Sequence, residues 1–397
     1  EENKDEEDLG VEQYLQDNAD YLDASVFQAP FDDQTVEDMN AWINEQTRGL
    51  IPQMINGLEP STVLTLINAL YFCGKWAAPY MSSKSEYFYP GGGKVQRADM
   101  LHSTENTYLH DDQAAGFVKP FDSSKFAFAV LVPNEGVKLE DYIASLDGAG
   151  LRRLLQGERG YRVHAVMPKF KTETLVGLNE PLQAMGIRNA FDPGRADLSG
   201  IAEGLCVSQA KQKAVIELDE KGVKAAAVTV IDVEATAVPP EPTVTVTADR
   251  PYLYMIIDKT TNLPLFIGTT AHTDGEEVDD PDPIPIPDPR PVEPDPVPMR
   301  DLMEGYASEL EAEPEPISET AADAMADFTL NMFRAAGDPK KNTVLSPLSA
   351  LYALGMLSNG AQGGTRAELE QTFGMPVAEL NEALRSTTAH LPEGYGT

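Results

Sequence analysis

The chain has 397 residues, 42% of them hydrophobic, and a formal net charge of −34 at pH 7. This length and apolar content are sufficient for a substantial core, in one large domain or two smaller ones. The negative charge would repel phosphates and anionic lipid headgroups, so we expect neither a nucleic-acid nor a membrane partner. No apolar run is long enough to span a bilayer, and Glu1-Glu2-Asn3-Lys4 does not resemble a secretory signal, so the chain as given is expected to be soluble and to carry no signal peptide.

Residue types that support catalysis or metal binding occur without a functional pattern. Cys73 and Cys206 both lie in apolar runs, which predicts buried, unreactive thiols. The histidines lack ligand spacing, and no nucleophile elbow, phosphate loop or zinc-protease motif is present. We therefore expect no cofactor, no metal and no enzymatic activity. A hydrolase stays open as an alternative, and it would need a nucleophile paired with a base.

The first half of the chain predicts one helix before a series of strands. Thr35 to Thr47 is expected to be helical, because Met39, Trp42 and Ile43 form one apolar stripe. Thr62 to Cys73 is almost continuously apolar, which predicts a central strand covered on both faces. Further elements are predicted at 126–132, 161–166, 207–218, 243–247, 252–257 and 263–267 (strands), and around Leu178, Leu182 and Met185 (a short helix ended by Gly186).

The segment from Asp219 to Pro240 has the pattern of a strand and the boundaries of a loop. Small and apolar residues share one parity: Val223, Ala225, Ala227, Thr229, Ile231 and Val233. The charged residues Lys224, Asp232 and Glu234 share the other parity. The closing Pro239-Pro240 blocks further ladder pairing. The pattern therefore predicts a segment that is a loop in one state and a strand in another.

The last part of the chain begins with an acidic, proline-rich spacer at 273–317, within which Met299 to Leu310 is a possible helix. Helices follow. Ser318 is expected to cap one that ends at Gly337, and Ser346 to cap another that has Pro347 at its first position. Thr365 and Glu368 are expected to form a capping box.

Several short motifs together resemble the serpin family. They are Asn68-Ala-Leu-Tyr71 with Gly74-Lys75-Trp76, Pro168-Lys169-Phe170, Ala196-Asp-Leu-Ser-Gly200, Asp249-Arg-Pro251, Leu265-Phe-Ile-Gly268, Ser346-Pro-Leu-Ser349, and Gly222 followed by small residues. The resemblance implies an α+β serpin fold, with mixed β-sheets surrounded by helices and an exposed reactive-centre loop. It also implies that the helix at 35–47 lies across the front of the main sheet.

The order of these motifs differs from that of the family. In serpins the region that resembles Ser346-Pro347 opens the chain, whereas Leu265-Phe-Ile-Gly268 closes it. We therefore expect a circularly permuted domain, in which 1–272 is the central and C-terminal part, 273–317 the linker and 318–397 the N-terminal helical part. A slice across tandem units stays open. A strand of the family's main sheet has no counterpart in the sequence, and Gln212 replaces the family's usual histidine.

The resemblance implies a suicide-substrate inhibitor of serine proteases, in which loop cleavage is followed by a conformational change that inserts the loop into the main sheet. The implied reactive bond is Thr236–Ala237, although Val233 or Val238 could be used instead. The implied hinge residues are Glu220, Gly222, Val223, Ala225, Ala226 and Ala227. The implied supporting residues of the breach and shutter, at the top and centre of the sheet, are Asn68, Trp76, Gln212, Lys213, Ser346 and Ser349.

A small uncharged residue at 236 favours an elastase-like protease, and a subtilisin-like or cysteine protease is an alternative. A non-inhibitory carrier or scaffold is the competing function. We expect a monomer, with a tandem or loop-swapped assembly as the alternative, and an extracellular or cell-surface location in a bacterium.

Overall fold

The computed structural model describes residues 6–59, 61–90, 94–123, 125–223, 241–273, 300–303, 305–308, 310, 313–389 and 391. The helices are α1 Glu6–Tyr21, α2 Asp33–Gln46, α3 Leu139–Ser145, α4 Gly148–Gln156, α5 Asn179–Met185, α6 Glu319–Ala336, α7 Pro347–Gly360, α8 Gly363–Phe373 and α9 Val377–Thr388. The strands are β1 Phe27–Gln28, β2 Thr65–Tyr71, β3 Gly74–Lys75, β4 Ser83–Phe88, β5 Gln96–His110, β6 Ala114–Pro120, β7 Phe126–Pro133, β8 Glu158–Pro168, β9 Phe170–Gly177, β10 Gln209–Leu218, β11 Gly222–Val223, β12 Thr243–Thr247, β13 Tyr252–Asp258, β14 Leu263–Thr270, β15 Arg300–Asp301 and β16 Thr343–Leu345.

The larger sheet separates two hydrophobic cores. Its strand order is β12-β8-β5-β6-β7-β13-β14-β16, with β4 paired to β5. Along β7, Phe126 and Phe128 pack into one core, whereas Ala127 and Ala129 pack into the other. Successive side chains of a strand point to opposite faces, so a strand buried on both faces must be apolar throughout. This explains the continuous apolar run at 126–132.

The smaller sheet is organised around β10. This strand pairs antiparallel with β9 and parallel with β2, and its end pairs antiparallel with β11, which in turn pairs with β3. Helix α2 covers one face, where Met39 and Ile43 pack with Ile67 of β2 and Val215 of β10. This smaller sheet contains β10, the strand that leads into the segment at 219–240, and is the main sheet of the family resemblance. The expected helix across the front of the main sheet is therefore confirmed.

Strand β2 is not the central strand that the sequence predicts. Among the described residues it pairs only with β10, so its other edge has no strand partner. A cavity of about 160 Å³ borders this edge and is lined by Phe27 of β1, Thr65 and Ile67 of β2, and Tyr352 and Met356 of α7. An apolar run predicts burial of side chains, but it does not specify whether both backbone edges are paired.

The C-terminal helices complete the first core. Strand β16 pairs antiparallel with β14, and α6 packs against α4. Phe328, Leu351 and Leu380 lie in the same hydrophobic cluster as Phe128 and Phe170. Helices α6, α7 and α9 therefore share one core with β7 and β9.

Part of the spacer pairs with β1 instead of forming a helix. Phe27 and Gln28 of β1 are registered opposite the two residues of β15, and the Leu302 amide donates to the carbonyl oxygen of Val26. The predicted helix at Met299 to Leu310 is therefore wrong within the described residues, because the backbone there bonds to another segment.

The predicted capping box is also wrong. Helix α8 begins at Gly363, so Thr365 lies inside its first turn. The Thr365 hydroxyl accepts a hydrogen bond from the Asp197 amide, and the Glu368 carboxylate accepts from the amides of Arg188 and Asn189. Both side chains hold the loop that precedes β10 instead of capping their own helix.

The predicted burial of both cysteines is not observed. Cys73 is exposed and Cys206 is half-buried. Cys73 lies between the end of β2 and the start of β3, where the chain leaves the sheet edge. Its apolar neighbours therefore did not indicate its own environment.

Candidate functional site

The predicted hinge begins as a short strand between two others. After β10 ends at Leu218, the chain turns, and Val223 of β11 is registered opposite Leu218. On its other side β11 pairs antiparallel with β3, with Gly222 opposite Lys75 and Val223 opposite Gly74. The first residues of the hinge therefore already occupy a strand position in the main sheet.

At this point a further strand, β11, lies between two segments of the main sheet. Over Thr65–Tyr71, β2 pairs directly with β10, whereas the continuation of the same segment, β3, is separated from the end of β10 by β11. Strand β11 thus occupies the top of the gap that would form if β2 and β10 separated. Any extension of β11 along the sheet would run antiparallel to both.

Gly222 is required by close packing. A Cβ atom at this position would lie 2.2 Å from the carbonyl oxygen of Gly74, and its φ of +154° lies outside the range that other residues favour. A larger residue would push β11 away from β3.

The turn before β11 is held by its own carboxylate. Oδ1 of Asp219 accepts hydrogen bonds from the amide of Lys221 at 2.7 Å and from the amide of Gly222 at 3.1 Å. Such a local side-chain bond fixes a tight turn. Asp219 therefore sets the direction in which the predicted hinge segment leaves β10.

Trp76, which directly follows β3, holds the turn by hydrogen bonds. Its indole Nε1 donates to the carbonyl oxygen of Asp219 at 3.0 Å, and its amide donates to that of Lys221, also at 3.0 Å. The ring is 2% exposed and stacks on Phe121, with centroids 4.8 Å apart. The Tyr80 amide donates to the carbonyl oxygen of Glu220 at 2.8 Å. Trp76 and Tyr80 therefore bond to three consecutive carbonyl oxygens of the turn at 219–221, and the supporting role of Trp76 stays a prediction.

Glu220 forms the main ion pair of this region. Its Oε1 lies 2.5 Å from Nζ of Lys169, which also lies 4.0 Å from Oδ2 of Asp99. Partial burial acts to raise the pKa of Glu220, but the hydrogen bond to Lys169 and the nearby positive charges outweigh it and lower that pKa below its usual value. Glu220 thus carries its charge while it holds the turn.

Gln212 bonds the main sheet to the start of α7. Its Nε2 donates to the carbonyl oxygen of Ser346 at 2.8 Å, and its Oε1 accepts from the Ser346 amide at 3.0 Å. Nε2 also lies 3.4 Å from Oγ of Ser349, and all three residues are fully buried. Gln212 therefore ties β10 to the backbone at the start of α7.

Ser346 does not cap α7 with its side chain, in contrast to the prediction. Its hydroxyl donates to the carbonyl oxygen of Leu265 in β14 at 2.8 Å. The residue still precedes Pro347 at the helix start. Its hydroxyl thus joins the helix to the larger sheet.

Lys213 and Asn68 differ from the other predicted supporting residues. Nζ of Lys213 lies 2.7 Å from Oε1 of Glu173 and donates to the carbonyl oxygen of Gln53 at 3.1 Å. Lys213 therefore bonds to β9 and to the segment after α2, not to the cluster beneath the sheet. Asn68 is registered opposite Gln212, and its side chain lies outside the described residues.

The rest of the predicted site lies outside the described residues: Ala225, Ala226 and Ala227 of the hinge, and Thr236 and Ala237 of the reactive bond. Two contributors were missed. The sequence singles out Lys169 only as part of a motif, and Asp219 only as the start of the loop. The separation of Lys169 from Glu220 in sequence hid their pairing, whereas the Asp219-Glu-Lys-Gly222 turn pattern was a usable signal.

Within the described part of the chain, no helix is both long and apolar enough to cross a membrane. The same residues contain no group of three or more His, Cys, Asp or Glu side chains arranged to hold a metal ion.

The chain is similar to serpins in both sequence and structure. It is 32% identical over 240 residues to Iripin-2 of Ixodes ricinus, and the matched region covers 59% of this chain and 60% of that protein. It is 34% identical over 252 residues to a serine protease inhibitor of Cyanea capillata, covering 60% of this chain and 65% of that protein. The chain thus spans less than two thirds of the length of these relatives.

Among solved structures, the thermophilic serpin Tengpin in its native state matches with a TM-score of 0.60 and 37% identity, over 64% of this chain and 67% of that chain. Tengpin in its latent state matches with a TM-score of 0.53 and 31% identity, over 65% and 70%. The model of the family described as serpin (serine protease inhibitor) matches residues 6–273 and 323–395. This chain therefore belongs to the serpin family.

Proposed function

We propose that this chain inhibits serine proteases as a suicide substrate, by cleavage of the loop at 224–240 and insertion of the cleaved loop between β2 and β10. The observation that carries the proposal is β11, which already pairs antiparallel with β10 through Val223 and with β3 through both Gly222 and Val223. Strand addition to a sheet is an established mode of peptide recognition and of loop-driven conformational change.

In this mechanism the protease serine attacks a carbonyl carbon of the loop, the peptide bond breaks, and an acyl-enzyme ester forms. The segment on the amino side of the cut then extends β11 along the gap and carries the esterified protease with it. Val223 is fully buried in the first core. Alternate residues of a strand face the same side, so Ala225 and Ala227 would also face inward in the inserted loop. Small side chains there permit entry without large displacement of the neighbouring strands.

We propose Thr236–Ala237 as the cleaved bond and an elastase-like enzyme as the target. A small uncharged residue fits a shallow neutral specificity pocket, and no Lys or Arg lies between Thr229 and Pro240 for a trypsin-like protease. Subtilisin-like and cysteine proteases of similar pocket chemistry are the next targets to examine.

A denaturing gel of the chain mixed with elastase tests the proposal. An inhibitor yields a covalent band whose mass exceeds that of either protein, together with a fragment released from the carboxyl side of the cut. Elastase with its serine blocked is the control and should give no such band. Quantitative cleavage without a covalent band would reject the inhibitory mechanism.

A non-inhibitory carrier is the second candidate, favoured by the likeness to human thyroxine-binding globulin, with a TM-score of 0.53 and 26% identity over 62% of this chain and 67% of that chain. A carrier would be cleaved cleanly in the same experiment. Its unfolding temperature would then rise with a bound ligand, such as thyroxine as the first probe.

We further propose that 1–272 and 318–397 form one permuted domain joined by 273–317, and that the chain is a monomer. The shared core of Phe128 and Phe328 and the pairing of β14 with β16 support this arrangement. An extracellular or cell-surface location in a bacterium remains our expectation from the acidic composition.

A further inference from the structure

A buried ion pair lies behind the residues that clamp the hinge. Nζ of Lys119, on β6, lies 2.9 Å from Oε1 of Glu105, on β5, and the two side chains are only 2% and 8% exposed. The Ser103 hydroxyl also donates to Oε1 of Glu105, at 2.6 Å. Neither charged residue belongs to the proposed reactive loop, and neither touches it in the described residues.

The ammonium group faces two aromatic rings. Nζ of Lys119 lies 4.3 Å from the centroid of Tyr80 and 5.5 Å from that of Trp76. A cation within about 6 Å of a ring face is attracted by the π electrons, more strongly when it is desolvated. Burial and then the Glu105 carboxylate raise the pKa of Tyr80 well above its usual value, so that this ring stays neutral beside the cation.

The same two aromatic residues hold the turn through their backbones. The amides of Trp76 and Tyr80 donate to the carbonyl oxygens of Lys221 and Glu220, and the Trp76 indole donates to that of Asp219. A chain of direct contacts therefore runs from the ion pair, through the two rings, to the turn that starts the hinge.

A buried ion pair is a weak source of stability, because desolvation offsets most of the attraction, but its fixed geometry can orient its neighbours. We propose that Lys119 and Glu105 are a positioning pair that holds Trp76 and Tyr80 against the turn at 219–221 and so restrains the hinge. This inference rests on the proposed function only where it treats the segment after the turn as a hinge. The contacts, and the experiment that tests them, do not require the chain to inhibit a protease.

Hydrogen exchange of individual amides tests the proposal in the full chain. Lys119→Met should speed exchange at the Trp76 and Tyr80 amides by about tenfold, whereas Lys119→Arg, which keeps the cation, should leave it near the wild-type rate. Arg152→Met is the matched control. Arg152 is also a buried cation, paired with Asp323 at 2.5 Å and Glu319 at 3.0 Å, but these ion-pair partners lie on α6, and its Nε donates to the carbonyl oxygen of Thr261.

Trp76 emission gives a second readout. In a Trp42→Phe background Trp76 is the single tryptophan, since the chain has two. Lys119→Met should shift its emission to longer wavelength, and Arg152→Met should not. If Lys119→Met folds poorly, Glu105→Gln/Lys119→Met removes the unpaired buried charge and is expected to show the same exchange and emission changes.

Equal acceleration at Trp76 and Tyr80 in the Lys119 and Arg152 variants would overturn the inference, since it would mean a general loss of stability. Unchanged exchange in both the single and the double variant would overturn it as well. A failed inhibition assay with the expected exchange pattern would reject the proposed function and leave the positioning role intact.

Discussion

Nζ of Lys169 lies 2.5 Å from Oε1 of Glu220, so the junction between β8 and β9 is tied directly to the turn from which the hinge starts. The pair is partly exposed, at 31% and 30% of the two side chains. Because the turn also bonds to Trp76 and Tyr80, the ion pair is one of several restraints on the hinge.

The lowered pKa of Glu220 predicts a pH-dependent hinge. A carboxyl whose pKa is lower in the folded state than in the unfolded state stabilises the fold at pH values above its unfolded pKa of 4.5. This stabilisation is lost as the pH falls through the folded pKa. Proteolytic sensitivity of the hinge should therefore rise below about pH 4.5. Glu220→Gln should be more sensitive at neutral pH and should lack this particular pH step. An identical step in the variant would assign it to other carboxylates.

Gln212 is expected to contribute strongly to folding. Gln212→Leu keeps much of the side-chain volume but leaves the buried Ser346 amide and carbonyl without their Gln212 partners, so we expect a loss of about 2–4 kcal/mol in the free energy of unfolding. Urea denaturation measures it. Lys213→Met is the neighbouring control and should cost less than about 1 kcal/mol, because its partner Glu173 is exposed. A loss of similar size in both variants would contradict a specific role for Gln212.

The proposed loop insertion predicts that alternate positions of the loop differ in how well they tolerate a charged side chain. The buried side chain of Val223 sets the inward parity, so Ala225→Glu or Ala227→Glu would bury a charge on insertion, whereas Ala226→Glu would keep it on the outer face. We expect the first two variants to be cleaved as substrates and the third to retain most of its covalent complex on a denaturing gel. Equal loss at both parities would argue against a strand-like inserted state.

Thr236→Arg should change the target enzyme. An arginine at the cleaved bond complements the acidic pocket of trypsin-like proteases and is unfavourable in a neutral one. We expect a trypsin complex at least tenfold faster than in the wild type, with a corresponding loss against elastase. Mass spectrometry of the released fragment identifies the bond. Cleavage by trypsin at another position only would show that 236 is not the reactive residue.

The permuted-domain proposal predicts that the spacer is dispensable once the chain has folded. A specific protease site placed between 279 and 299 should be cut without separation of the fragments, because α6 to α9 and the earlier strands share a core. Size-exclusion chromatography under native conditions should show one complex with the mass of one chain. Fragments that separate, or a mass that doubles with concentration, would favour exchange between tandem units.

Periodicity correctly predicted the elements whose secondary structure follows from the burial of their own side chains. The runs at 126–132 and 252–257 became β7 and β13 because burial on both faces demands apolar residues at every position. The stripe of Met39, Trp42 and Ile43 likewise predicted helix α2, whereas its position on the smaller sheet came from the family resemblance.

The remaining features depend on partners that are remote in sequence. Ser346, Thr365 and Glu368 have the chemistry of helix caps, but the fold supplies them with acceptors or donors in β14 and in the loop at 188–197. The ion pairs of Glu220 with Lys169 and of Glu105 with Lys119 likewise join different strands or junctions. The motifs drew attention to Trp76 and Gly222, but they could not supply these contacts.

Strands β2 and β10 face each other through seven registered pairs, from Thr65–Gln209 to Tyr71–Val215, in parallel orientation. A strand that extends β11 between them would replace this one parallel ladder with two antiparallel ladders, which are also slightly more stable per residue. Under the proposed mechanism, the free energy released on insertion would therefore grow with the length over which β2 and β10 now pair. If the proposal holds, a proline placed within β2 would shorten the usable ladder and reduce the free energy available to displace a bound protease.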